Sequence, residues 1–161
     1  MEERKLHMDG AAFTARLERL YGAEGAEAAR ARCCEVAAGF AKTFEGEPEA
    51  LFSAPGRTEL GGNHTDHQHG RVLAAAVDLD ILAAVAPNQS GMIRVQSQGY
   101  PLMVVDLSDL NPHAEEVGTS AALIRGVAAR MSALGCPLQN AGLAAYMISN
   151  VPGGSGLSSS A

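Results

Sequence analysis

An α+β fold, an antiparallel or mixed sheet with flanking helices, is what this sequence predicts, and three observations predict it. Alanine-rich stretches at helical spacing occupy residues 9–44; strand-length apolar runs separated by glycine and proline turns follow between 51 and 107; one amphipathic stretch, 119–134, precedes a last apolar run. Runs of strands with the helices set apart suit this class better than a doubly wound parallel sheet, in which the two alternate. At 161 residues, 47% of them apolar, the chain is long enough to bury one core.

The elements follow in order. Asp9 is placed to cap a helix whose apolar stripe is Phe13, Leu17 and Leu20, and Tyr21-Gly22 ends it. Residues 24–44 favour a second helix by alanine content, with Val36 and Phe40 on its apolar side. Both helices are expected to flank the core as an extension over 1–50, with the main domain running from 51 to 161. After the turn Glu45-Gly46-Glu47-Pro48, Leu51-Phe52-Ser53-Ala54 reads as a short strand stopped by Pro55-Gly56. Residues 72–77 and 79–86 read as strands, and Pro87-Asn88-Gln89-Ser90-Gly91 turns the chain into Met92–Ser97 as a hairpin. Gly99-Tyr100-Pro101 leads to a further strand over 102–107. The helix at 119–134 closes on Gly135-Cys136-Pro137, and 143–149 forms the last strand.

Composition excludes several classes. The net charge of −6 and the absence of a lysine or arginine cluster give no footprint for nucleic acid. The run 72–86 is too short to span a bilayer and is broken by Asp78 and Asp80, and the N-terminus lacks the apolar segment of a secretory signal. Cys33, Cys34 and Cys136 are odd in number and include a vicinal pair, so they read as core or incidental thiols in a reducing cytoplasm. His7 and His113 read as surface residues.

Two loops carry the chemistry. In residues 54–70 the glycines Gly56, Gly61, Gly62 and Gly70 separate Arg57, Asn63, His64, Asp66, His67 and His69. A guanidinium, an amide, a carboxylate and imidazoles so spaced suit a polyol or phosphate pocket, or a metal site. The second loop, Gly153-Gly154-Ser155-Gly156, follows a strand and leads through Leu157 into Ser158, Ser159 and Ser160. Glycines that bare successive N–H groups before a helix N-terminus suit a nucleotide phosphate, and the serine hydroxyls suit phosphate oxygens or a magnesium ion. The bland reading of this stretch is a flexible serine- and glycine-rich tail.

Together the loops resemble the galactokinase branch of the GHMP small-molecule kinases. Gly56-Arg57, Gly62-Asn63-His64-Thr65-Asp66 and Gly70 are similar to its sugar-binding signature, and 151–161 to its nucleotide-phosphate loop; Ile124-Arg125-Gly126-Val127 is similar too. The resemblance implies the N-terminal GHMP kinase domain and transfer of the γ-phosphoryl of ATP, with Mg²⁺, to the anomeric hydroxyl of galactose. It implies that Arg57 steadies the nucleophile and the transferring phosphoryl, and that Asn63, His64 and Asp66 bind sugar. Gly153, Gly154, Ser155, Gly156, Leu157, Ser158, Ser159 and Ser160 would then hold the nucleotide, with Ser159 on the metal. Asn63 stands where the family usually has glutamate, His67 where it has tyrosine, and Glu59-Leu60-Gly61-Gly62 replaces its Asn-Leu-Ile-Gly, which leaves the sugar open among galactose and related hexoses.

Two other readings remain. His64, Asp66, His67 and His69 could ligate zinc or iron, although adjacent Asp66 and His67 aim poorly at one ion from an extended loop. A galactokinase-like sensor would bind sugar and ATP without turnover. The family's catalytic aspartate and third glycine-rich motif fall beyond Ala161, and a helix opening at Leu157 needs donors beyond it. The expectation is therefore the N-terminal part of a longer kinase, inactive alone.

Overall fold

A computed structural model describes residues 6–62, 69–138 and 141–153. Helix α1 spans Ala11–Phe44 and is followed by strands β1 (Ala50–Gly61), β2 (Leu73–Asn88), β3 (Met92–Ser97) and β4 (Met103–Asp106), helix α2 (Ser120–Ala133) and strand β5 (Gly142–Ser149). The α+β class stands.

The break expected at Gly22 is a single non-helical residue, φ 74° and ψ 163°, within α1. It reverses the chain. Thr14 and Arg30 would stand roughly 24 Å apart along a straight helix, yet Arg30 donates to Thr14 Oγ1 and to the Met8 carbonyl, and its guanidinium lies over the Phe13 ring at 5.4 Å. The cap is Gly10 rather than Asp9: the Gly10 carbonyl accepts from Phe13 and Thr14, and no side chain caps the helix.

The helices do not merely flank the core; α1 supplies half of it. Leu17, Ala29, Cys33, Val36 and Phe40 are buried against Leu82, Ala84, Ala144 and Ile148 of the sheet. Residues 29, 33, 36, 37 and 40 recur at three- and four-residue spacing, the stripe that a sheet-packed helix needs. Small residues on both sides allow the close approach: a Cβ on Gly39 would fall 2.2 Å from the Tyr146 ring. The alanine content that suggested only helix propensity also sets this tight seam.

The sheet has five strands in the order β1-β2-β5-β3-β4, antiparallel except where β3 runs parallel to β5. The hairpin expected between β2 and β3 is therefore absent. The chain does turn at 88–91, where Asn88 Oδ1 accepts from the Ser90 amide at 3.0 Å, but β5 enters between the two strands. A turn motif encodes reversal, not partnership; β5 pairs with β2 along 81–88 and with β3 along 93–97 and so stands between them. The two runs 72–77 and 79–86 are one strand, and the strand expected to stop at Pro55 continues to Gly61. Proline fits there because β1 is an edge strand among the described strands, with no neighbour on its outer side to need its missing N–H.

On the opposite face α2 packs against β4. Thr119 caps it by accepting from the Ala122 amide, and the Gly135 and Cys136 amides close its far end on the Ser132 and Met131 carbonyls, as the sequence predicts. Arg125, buried, grips Glu116 through two bonds of 2.8 and 2.6 Å and also donates to the Asp109 carbonyl, so it ties the preceding loop to α2. His113 is not a free surface residue: its ring nitrogens face Asp109 at 3.1 Å and Glu115 at 3.5 Å.

Candidate active site

Strands β1 and β5 both run antiparallel to β2, one on each side of it, so their C-terminal ends point to the same end of the sheet. With one strand between them they stand about 10 Å apart. Pro55 pairs with Asp80 from one side, and the Asn150 amide donates to the Asp80 carbonyl at 3.1 Å from the other. Arg57 lies two residues after Pro55, and Gly153 three residues after Asn150. The topology thus brings Arg57 and Gly153, described residues of the two sequence loops, toward the same end of the sheet, a relation that no local motif encodes.

Arg57 sits where the β1–β2 register shifts: pairing passes from Pro55↔Asp80 to Arg57↔Ala76, so Gly56 alone faces the three residues 77–79. Bulges of this kind re-aim a side chain and cluster beside active sites. The Arg57 guanidinium is 57% exposed and meets Glu59 at 3.3 Å, a weak restraint that a bound anion could displace. Beyond Gly61↔Leu73 the ribbon opens through a narrow neck. Gly62 has φ 80°, and a Cβ there would fall 2.0 Å from the Arg71 carbonyl oxygen, so only glycine fits.

Of the other site residues read from the sequence, Gly153 is described and exposed at the end of the strand lead-out. Asn63, His64, Asp66 and His67 lie outside the described residues, as do Gly154, Ser155, Gly156, Leu157, Ser158, Ser159 and Ser160. His69 is described, with φ 59°. Among the described residues no group of three or more His, Cys, Asp or Glu side chains could hold a metal ion, and no helix is long and apolar enough to cross a membrane. Beside Gly153 a half-open cleft of about 690 Å³ runs between the strand ends and the start of α2, lined in part by Tyr100, Leu102, Thr119, Met147 and Ser149.

The sequence reading missed a buried polar cluster behind these loops. Asp80, 2% exposed, accepts through Oδ2 from the Tyr21 hydroxyl and from Ser53 Oγ at 2.5 Å, and Arg32 Nη1 lies 2.7 Å from Oδ1. Asn150 Oδ1 accepts from the Asp80 amide at 2.7 Å. The available signal was a pair of aspartates, Asp78 and Asp80, interrupting an apolar run, of which a buried one is tolerated only with partners. Burial by itself raises the Asp80 pKa, but the Ser53, Tyr21 and Arg32 donors outweigh it and hold the carboxyl below its ordinary 3.8. Burial and the Asp80 bond raise the Tyr21 pKa, which keeps its hydroxyl a donor.

A carboxyl depressed in this way adds stability that is complete above its unfolded pKa and disappears as pH falls through the lower folded value. Asp80→Asn is therefore expected to flatten the loss of unfolding free energy below about pH 4, read by urea titrations at stepped pH; an unchanged acid slope would contradict this. Cys33 lies close by, but burial pushes its thiol up to about 11, so it is an inert core group, whereas Cys34 is exposed.

The galactokinase galactose-binding signature matches residues 38–87, from the last turns of α1 through β1 to β2, the ribbon that carries Arg57. Galactokinases of Streptomyces coelicolor and Lacticaseibacillus casei are 36% and 34% identical to this chain over 124 and 128 residues, which is 76% and 79% of it and 31% and 33% of theirs. Galactokinases are thus what the chain is similar to, over 79% of its own length for the Lacticaseibacillus casei protein. The human galactokinase is 35% identical over 139 residues, 79% of this chain and 33% of that protein. The Lactococcus lactis galactokinase, solved in complex with galactose, superposes with a TM-score of 0.66 at 21% identity, over 78% of this chain and 33% of that one. The Methanococcus jannaschii mevalonate kinase superposes with a TM-score of 0.54 at 19% identity, over 69% of this chain and 35% of its own, so the fold is shared with it. The chain spans about a third of the length of the curated relatives it matches.

Proposed function

We propose that this chain forms the sugar-binding part of an ATP-dependent kinase that phosphorylates galactose, or a closely related hexose, at the anomeric hydroxyl. The observation that carries the reading is the coincidence of the galactose-binding signature, 38–87, with a ribbon whose Arg57 end lies beside the strand leading to Gly153. Phosphoryl transfer asks mainly for in-line positioning and charge stabilisation, and adjacent acceptor and donor loops on one sheet end suit both. Arg57 steadies the reacting hydroxyl and the equatorial oxygens of the phosphoryl group. Asp66 accepts from two vicinal hydroxyls, with Asn63 and His64 completing the ring contacts. Residues 153–160 cradle the ATP phosphates, Ser159 faces Mg²⁺, and the 690 Å³ cleft has the volume for the rest of the nucleotide. The kinase domain takes residues 51 onward, with 1–50 as its extension, in a cytoplasmic enzyme.

The test is ATP-dependent phosphorylation of a hexose panel by a protein of the relatives' length carrying this sequence, with Asp66→Ala and Asn63→Glu alongside. Galactose is expected to be turned over and Asp66→Ala to abolish turnover; a change of preferred sugar in Asn63→Glu would make residue 63 a specificity determinant. Binding of sugar and ATP without turnover would replace the enzyme by a sensor. The 161-residue chain alone is expected to be inactive, and measurable phosphorylation by it would overturn that part.

A further inference from the structure

The Asp80 cluster joins four elements: Tyr21 and Arg32 of α1, Ser53 of β1, Asp80 itself on β2, and Asn150 just after β5. Stability does not require such a centre. Replacing a buried ion pair by well-packed apolar side chains is often neutral or favourable, and the neighbouring Leu82 and Ala84 show that this face accepts apolar residues. What a polar centre adds is a fixed relation among its partners, since a satisfied network has one geometry and a half-satisfied one is costly. Its place in the register is specific. Asp80 is the first residue of β2 paired after the bulge at 77–79, across which β1 passes from Pro55 to Arg57, and its carbonyl and amide hold Asn150 on the opposite side through bonds of 3.1 and 2.7 Å. Ser53 enters β1 four residues before Arg57, and Asn150 precedes Gly153 by three.

We propose that Asp80 is a positioning residue that locks the Arg57 bulge and the chain entering Gly153 into one spatial relation, through Ser53 on one side and Asn150 on the other. It touches neither ligand. Its carboxylate sets where β1 departs from regular pairing, and its peptide group sets where β5 releases the chain toward the glycine–serine loop. The two arms are separable: Ser53→Ala removes the β1 arm and leaves the β5 arm intact, whereas Asn150→Ala does the reverse. The purely structural part of this proposal stands without the kinase reading; its kinetic consequence rests on it.

Amide hydrogen exchange on the 161-residue chain tests the structural part. Ser53→Ala and Asp80→Asn are each expected to speed exchange within 56–61 alone, since asparagine keeps the peptide group that holds Asn150, and Asn150→Ala within 150–153 alone, with α2, β3 and β4 unchanged. An even rise across the chain, or no rise in the named segments, would overturn the proposal. Should Asp80→Asn fail to fold, the two single-arm variants decide it. In a protein of the relatives' length, Asn150→Ala is expected to raise KM for ATP about tenfold at unchanged KM for sugar, and Ser53→Ala to raise KM for sugar or lower kcat by a similar factor at unchanged KM for ATP. Equal losses in both constants from each variant would sink the two-arm division. A parent that turns over no sugar would refute the kinase reading alone, leaving the exchange result to decide positioning.

Discussion

Arg57→Ala, in a protein of the relatives' length, is expected to lower kcat by about 10²- to 10³-fold, the usual cost of deleting one donor aimed at transition-state charge. The fold is expected to tolerate it. Arg57 is 57% exposed, and its one described ion-pair partner, Glu59, stands at 3.3 Å, so the variant should unfold within about 0.5 kcal/mol of the parent. That separation makes the result informative. A loss of activity with unchanged thermal unfolding places Arg57 in the chemistry, whereas a kcat within threefold of the parent would remove it from the mechanism. Arg57→Lys is expected to recover only part of the loss, because an ammonium restores charge without the planar fork that meets two phosphoryl oxygens.

Phe40→Ala carries the largest expected change in stability, a loss of about 3–5 kcal/mol. Phe40 is 2% exposed, packs against the Phe44 ring at 5.0 Å and belongs to the cluster that α1 shares with the sheet. The exposed Phe52, 59% accessible on the other face of the edge strand, is the internal control, and Phe52→Ala should stay within about 0.5 kcal/mol. Urea unfolding of both variants checks the pair. Equal effects would mean that α1 is an appendage after all.

What was legible in the sequence is what is local. Thr119 and Gly135 mark the two ends of α2 because a hydroxyl cap and a left-handed glycine are demanded by the helix itself. The break at Gly22 and the last strand at 143–149 are legible for similar reasons. The residue types of the two loops likewise announced polar chemistry between glycines. Illegible were the relations between distant segments. Pro55-Gly56 looks like a strand end, yet at an edge a proline costs no ladder bond, so β1 runs through it. The turn at 87–91 looks like a hairpin, yet its two strands pair elsewhere. Asp80 reads only as an interruption in an apolar run, since its partners come from residues 21, 32, 53 and 150. That β1 and β5 end toward the same side of the sheet follows from strand order, which is a property of the whole sheet.

The position of β5 has a consequence for the birth of the protein. The middle strand of the sheet is the last of its described strands to be synthesised. Before residues 142–149 emerge, β1–β2 and β3–β4 are separate two-stranded ribbons, each marginal alone and each with an open row of backbone donors and acceptors. Pairing of β5 joins them in one late event built on long-range contacts, the pattern associated with slow folding. A nascent chain at this stage presents the unpaired inner edges of β2 and β3 as well as the outer ones, and holdase chaperones that bind extended strands would find it most receptive in that interval.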